Sequence, residues 1–283
     1  MAKTRKRRII APGPRVCHPR LKHTDGECLT PDLVKKLGKI MGAPSELDDR
    51  HLRHWMTRRT RCKTERCWIE KSSMSPDEKT KLMKSYFRPS MPDSWNEDPD
   101  EWLDSLNLID VMKQYEEVYP TFKFFGANPI DFSAPNPYKK DALEKKECLE
   151  DSICKLRLDT LTKQGKTHLG FIYNLDPSNK GGSHWIASFT DIPGHKSYYF
   201  DSYGFKPPPQ IARFLRSLTL QDPTMKLQYN ARRFQYGDTE CGVYCLYFLI
   251  RMLEGDDFRK FCKRAPRDSD MLELRRWLFA PNN

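Results

Sequence analysis

The chain has 283 residues, 38% of them hydrophobic and 12% aromatic, enough for one large domain or for a domain with a smaller appendage. It has no apolar run of the roughly 18 residues a membrane-spanning helix needs, and its start is too basic and too poor in apolar side chains for a secretory signal. The net charge of +11 is uneven: Lys3, Arg5, Lys6, Arg7, Arg8, Arg15 and Arg20 supply seven, leaving +4 on everything after residue 20.

Residues 1–20 read as a disordered basic tail, broken by Pro12, Pro14 and Pro19. Such a tail suits nucleic-acid binding by counterion release or nuclear localisation, and equally a solvated end. A small helical module follows over 21–95. Thr30 and Pro31 open a helix over 31–41 that Gly42 stops, a second spans 45–58, and Ser75-Pro76-Asp77-Glu78 is a capping box opening a third. Nine cysteines without an export signal predict free thiols in a reducing compartment. Cys17, His18, His23, Cys28, Cys62 and Cys67 invite a zinc site, but their spacing is irregular and packed thiols are the reading taken, with no metal assigned.

From residue 96 the pattern changes to that of an α+β domain reaching residue 283. Trp102-Leu103-Asp104 leads, with Asn107 as the expected cap, into an amphipathic helix ending at Pro120. Residues 121–125 are strand-like, and 141–154 read as a helix. Three strand candidates at 168–175, 183–192 and 196–203 form an antiparallel meander. A helix follows Pro207-Pro208-Pro209, then a strand over 225–234. The stretch 234–245 feeds Cys241 into the first turn of an apolar helix, and Met271, Leu274, Trp277 and Leu278 mark a last helix.

A thiol at a helix N-terminus ionises more easily, yet a lone cysteine is most often core. A partner histidine decides between these. His184, after Gly181-Gly182 and at the start of a strand, has the best setting of the seven histidines. If the hairpin turns about Ile192-Pro193, opposed residues sum to 385 and His184 faces Asp201, the only acid in 197–204. His184 then acts as base and acid, Asp201 orients the ring, and Gln235 Nε2 with the Cys241 N–H receives an oxyanion.

The order His184-Trp185, Asp201, Gln235, Glu240-Cys241-Gly242, with Trp102-Leu103-Asp104 upstream, resembles the ubiquitin-like-protein-specific cysteine proteases, which include the SUMO proteases and relate to the adenovirus protease. The basic tail and helical module look most like polyprotein-processing proteases of large DNA viruses. The resemblance implies a papain-like core with a central, mostly antiparallel sheet flanked by helices, and a catalytic set of Cys241, His184, Asp201 and Gln235. It also implies cleavage after Gly-Gly, with Trp102 and Trp185 walling a tunnel for the glycines. Glu240 stands where cellular members commonly have Asp, and Ser105 where the entry motif's last acid would fall.

The expectation is thus a cysteine endopeptidase acting on a Gly-Gly-bearing viral polyprotein in the virion and host cytoplasm, with the nucleus an alternative. It needs no cofactor and no membrane, and it has a nucleic-acid contact through residues 1–20. The alternatives are removal of ubiquitin-like modifiers by the same chemistry, and an inert protease-like fold serving as a nucleic-acid-binding protein. The sequence leaves the oligomeric state open.

Overall fold

The computed structural model describes residues 9, 14–21, 27–136 and 147–281. It divides into two compact units, one over Asp100–Leu274 and the other over Ala11–Pro99 with Arg275–Asn283.

In the smaller unit, Thr30 Oγ1 accepts from Leu33 N and starts α1 (Pro31–Ile40). The second helix, α2 (Asp49–Thr60), begins four residues later than its apolar pattern suggests, because the Asp48 carboxylate accepts from His51 N and fixes the cap there. A helix not expected from the sequence, α3 (Glu65–Lys71), starts at Thr64; α4 (Pro76–Tyr86) has the capping box between Ser75 and Glu78. A core of Val34, Leu37, Leu52, Met56, Trp68, Ile69 and Phe87 joins them. The Glu65 carboxylate is buried, pairs with Arg53 and accepts from Cys28 N and Leu29 N at 2.5 and 3.0 Å.

Two expectations are corrected in this unit. Cys17 is bonded to Cys28 and Cys62 to Cys67, and in the other unit Cys148 is bonded to Cys154, so six cysteines are disulfides instead of free thiols. The described part of the expected tail, 14–20, is not a free end: Cys17 and His18 are fully buried, and Cys17 bridges to Phe87. The lysines and arginines at positions 3–8, and His23, lie outside the described residues.

The larger unit is built on a five-stranded sheet in the order β1-β2-β3-β4-β5. The strands are β1 (Phe122–Pro129), β2 (His168–Asn174), β3 (Trp185–Asp191), β4 (Lys196–Phe200) and β5 (Lys226–Tyr229). The meander β2-β3-β4 is antiparallel as expected. The outer strands β1 and β5 join it parallel, because each is separated in sequence from its neighbour by helical crossovers. These crossovers are α6 (Asp151–Cys154) with α7 (Leu158–Lys163), and α8 (Pro209–Gln221). The expected helix over 141–154 is described only from residue 147, and there it is the single turn of α6. The expected strand over 225–234 stops at Tyr229.

Both sheet faces are covered, which is why β2 reads as a nearly continuous apolar run. Leu169, Phe171 and Tyr173 pack with Ile211, Phe214 and Leu218 on the α8 side. On the other side lie α5 (Ser105–Val118) and α9 (Cys241–Leu253), with Gly170 under Leu249. The chain closes with α10 (Phe258–Lys263) and α11 (Asp268–Leu278). Among the described residues no helix is long and apolar enough to cross a membrane.

Candidate active site

Helix α9 is buried from Cys241 to Met252, the pattern of a central helix, and it packs against β3 and α5. Its first residue is Cys241. The first-turn N–H groups of a helix have no intrahelical acceptor, so the thiol sits where the backbone offers partial positive charge and free donors. Gly242 follows because a Cβ there would lie 3.0 Å from the Cβ of Leu103, so the first turn of α9 runs hard against the segment that enters α5. Asp104, not the expected Asn107, caps α5: its carboxylate accepts from Asn107 N at 2.7 Å and Asn107 Oδ1 accepts from Asp104 N at 3.1 Å.

The β3–β4 register corrects the expected hairpin. Asp191 pairs with Lys196 and Ala187 with Phe200, so opposed residues sum to 387, not 385. The turn takes four residues, with His195 in the left-handed region at φ 50°. A two-residue slip preserves side-chain parity, so Asp201 stays on the His184 side as a diagonal neighbour. His184 Nε2 donates to Asp201 Oδ1 at 2.8 Å, and both side chains are buried. In the turn after β4, the ring of Tyr203 stacks on the imidazole at 4.6 Å.

Several contacts hold the carboxylate. Tyr203 N donates to Asp201 Oδ1 at 2.8 Å. Asn230, buried just past β5, clamps the Asp201 backbone, accepting from its N–H at 2.9 Å and donating to its carbonyl at 2.6 Å. With Nε2 committed to Asp201, Nδ1 is left for the hydrogen bond with Cys241. Burial pulls the imidazole pKa down, but the bonds to Asp201 and Cys241 and the charges of those groups outweigh it, and His184 is pushed up to about 9. The arrangement therefore favours the imidazolium form of His184 at neutral pH, with the Cys241 sulfur beside it.

Gln235 completes the cluster. Its Oε1 accepts from the Ser202 hydroxyl at 2.7 Å, and its own N–H and that of Phe234 both donate to the Ser202 carbonyl. Nε2 is fully buried with no partner among the described residues. Such a donor is costly unless something is meant to meet it. The loop from Gln235 to Cys241 is tied down by Asp268, whose carboxylate accepts from Tyr236 N, Gly237 N and the Tyr244 hydroxyl of α9 at 3.0, 2.9 and 2.8 Å.

Trp185 is buried and donates its indole N–H to the Leu103 carbonyl at 2.8 Å, whereas the neighbouring Trp102 is 44% exposed. Cys241 itself is only 2% exposed. Cys245, one turn on, is fully buried with its thiol pushed well up by burial, as expected of a core thiol. Sequence reasoning missed Ser202, Tyr203, Asn230 and Asp268. Ser202 and Tyr203 follow Asp201 directly, and that adjacency was the available signal; nothing local marks Asn230 or Asp268.

Over almost its whole length the chain superposes on the crystal structure of a protease from African swine fever virus. The TM-score is 0.68 at 19% identity, covering 97% of this chain and 98% of that one. The chain has the fold of a viral cysteine protease. Its homologues are viral as well. The R355 protein of Acanthamoeba polyphaga mimivirus, a candidate thiol protease, is 36% identical over 168 residues. That match takes in 56% of this chain and 50% of the relative, so the chain spans about half the length of R355. A protein of African swine fever virus, named a SUMO-1 cysteine protease in the Warthog/Namibia isolate, is 24% identical over 186 residues, covering 62% of this chain and 67% of that protein. No family model matches the chain.

Proposed function

We propose that the chain is a cysteine endopeptidase that cleaves after Gly-Gly in viral structural polyproteins during virion maturation. The observation behind this reading is the unpartnered Nε2 of Gln235, buried and held by Ser202 in the same cluster as a thiol and a paired histidine. What sets this donor apart is its place beside a thiol and a paired histidine. A carbonyl oxygen that becomes an oxyanion would use it.

The steps follow from the geometry. The proton that leaves Cys241 is held on His184 Nδ1 as part of the imidazolium, and the sulfur attacks the scissile carbonyl carbon. Charge gathers on the oxygen, opposite Gln235 Nε2 and the Cys241 N–H. The imidazolium gives its proton to the leaving amine as the C–N bond breaks, and water then hydrolyses the thioester. Asp201 accepts from Nε2 throughout and holds the ring and its tautomer.

Glycine selectivity rests on the close seating of Leu103 against Gly242 and on the Trp185 bond to Leu103, which bring Trp102 and Trp185 to the nucleophile's first turn. Cys241, almost fully covered, is reachable only by a slender chain. Hydrolysis of Gly-Gly-X peptides, lost in Cys241→Ala, tests the assignment; equal cutting of a peptide with Ala for the second Gly from the scissile bond would remove the tunnel. The relatives named SUMO-1 cysteine proteases favour a second reading, release of a ubiquitin-like modifier. A SUMO-fused reporter cut in preference to the peptides would select it. We further place the enzyme in the virion and host cytoplasm, with the lysines and arginines at positions 3–8 of the expected tail contacting nucleic acid. No turnover of either substrate, with salt-sensitive DNA binding lost on deleting 1–13, would instead leave an inert protease-like fold.

A further inference from the structure

We propose that Arg233, held between Tyr203 and Tyr236, forms a subsite for a carboxylate side chain on the residue immediately after the scissile bond. The proposal rests on the Gly-Gly reading above for the direction in which substrate lies.

The guanidinium of Arg233 stands 5.2 Å from the Tyr203 ring centroid and 5.0 Å from that of Tyr236. Its Nε donates to the Gln235 carbonyl at 2.7 Å. Its two terminal nitrogens make no hydrogen bond and no ion pair among the described residues. Tyr203 in turn stacks on His184, donates its hydroxyl to the Gly237 carbonyl at 3.1 Å, and has Phe205 at 6.2 Å. Phe205 and Tyr236 are 67% and 75% exposed. A ladder of aromatic rings and one cation thus runs outward from the imidazole.

Gly204 makes this approach feasible. It has φ 79°, and a Cβ there would lie 2.8–2.9 Å from the backbone of Arg232 and Arg233. The turn after β4 and the segment after β5 can meet only across a glycine, and their meeting sets Arg233 over Tyr203.

Sheet order gives the ladder its side. Trp185 pairs with Asn174 of β2, and its indole is bound to the segment entering α5, which packs on β1. The ladder follows β4 and β5. His184 precedes Trp185 at the start of β3 and stacks on the ladder's first ring, Tyr203, and Cys241 opens α9, which packs on β3. A substrate crossing this end of the sheet with its glycines at the indoles therefore has its leaving segment at the ladder. The two rings hold the guanidinium in place and leave its fork open, the geometry that binds a carboxylate through two parallel hydrogen bonds.

The test uses peptides with one Gly-Gly acyl half and Glu, Ala or Lys directly after the scissile bond. The expected ratio of kcat/KM for Glu over Lys is about fivefold, the upper scale of an exposed ion pair. It should fall to about one in Arg233→Ala and invert in Arg233→Glu. An unchanged ratio in both variants overturns the subsite. A separate arm does not depend on Gly-Gly cleavage: binding of the free peptides Glu-Ala-Ala-Ala and Lys-Ala-Ala-Ala to the Cys241→Ala chain by NMR titration. The Glu peptide should bind more tightly and lose about fivefold with Arg233→Ala. Equal binding of both peptides, unaffected by the substitution, rejects the proposal. If no Gly-Gly peptide is cut by the unaltered enzyme, the Gly-Gly reading alone fails and this arm still decides the subsite.

Discussion

At the scale of single residues, the site depends on amide and imidazole groups being oriented before substrate arrives. Gln235→Ala should lower kcat about a hundredfold with little change in KM, since the donor acts on the oxyanion and not on the ground-state carbonyl. Ser202→Ala should lower kcat by less, and the double variant should be no worse than Gln235→Ala alone, because the hydroxyl acts only through that amide. Additive losses in steady-state kinetics would give Ser202 a separate role. The raised histidine pKa has a definite sign. A proton on His184 is needed by the leaving amine, so kcat/KM should fall as pH rises through about 9. Folding stability supplied by this group is full below the ordinary imidazole value of about 6.5 and is lost as pH rises through about 9. The melting-temperature gap between the unaltered chain and His184→Asn should therefore narrow from about pH 6 to about pH 10. That Cys241, His184, Asp201 and Gln235 come together was legible in the sequence because each has a chemistry-bearing side chain beside a glycine turn or a strand end. Asn230 and Asp268 were not, since they act on backbone groups distant in sequence.

At the scale of elements, the strong periodic helices and the meander could be read directly, whereas short pieces could not. Helices α3, α7 and α10 have only six or seven residues, too few for an apolar face to declare itself. The hairpin register missed by two because a four-residue turn with a left-handed histidine replaced the assumed tighter one. The error was harmless to the His184–Asp201 pair for a geometric reason: only an odd slip changes faces. The cap of α5 is the element-level prediction. Asp104→Ala should cost ~1 kcal/mol in urea unfolding, and Asn107→Ala less, since a bare Asp104 still caps. Because Leu103 adjoins Asp104 and sits on Gly242, Asp104→Ala should also raise KM for Gly-Gly peptides.

At the scale of the whole molecule, the disulfides set an expectation about thiols. Alkylation of the denatured, unreduced chain should label three cysteines, Cys241, Cys245 and Cys262, and all nine after reduction. Nine before reduction, by mass spectrometry, would return the chain to the free-thiol state its composition suggested. Composition misled because a cysteine count does not show which thiols the fold sets side by side, where an oxidant can pair them. The turn that follows β4 has one more implication. In the proposed reaction two consecutive residues there serve opposite halves: Asp201 holds the imidazole that carries the proton, and Ser202 holds the amide that would meet negative charge. A small molecule wedged beneath that turn would misalign both at once, silencing the enzyme while leaving its sulfur untouched.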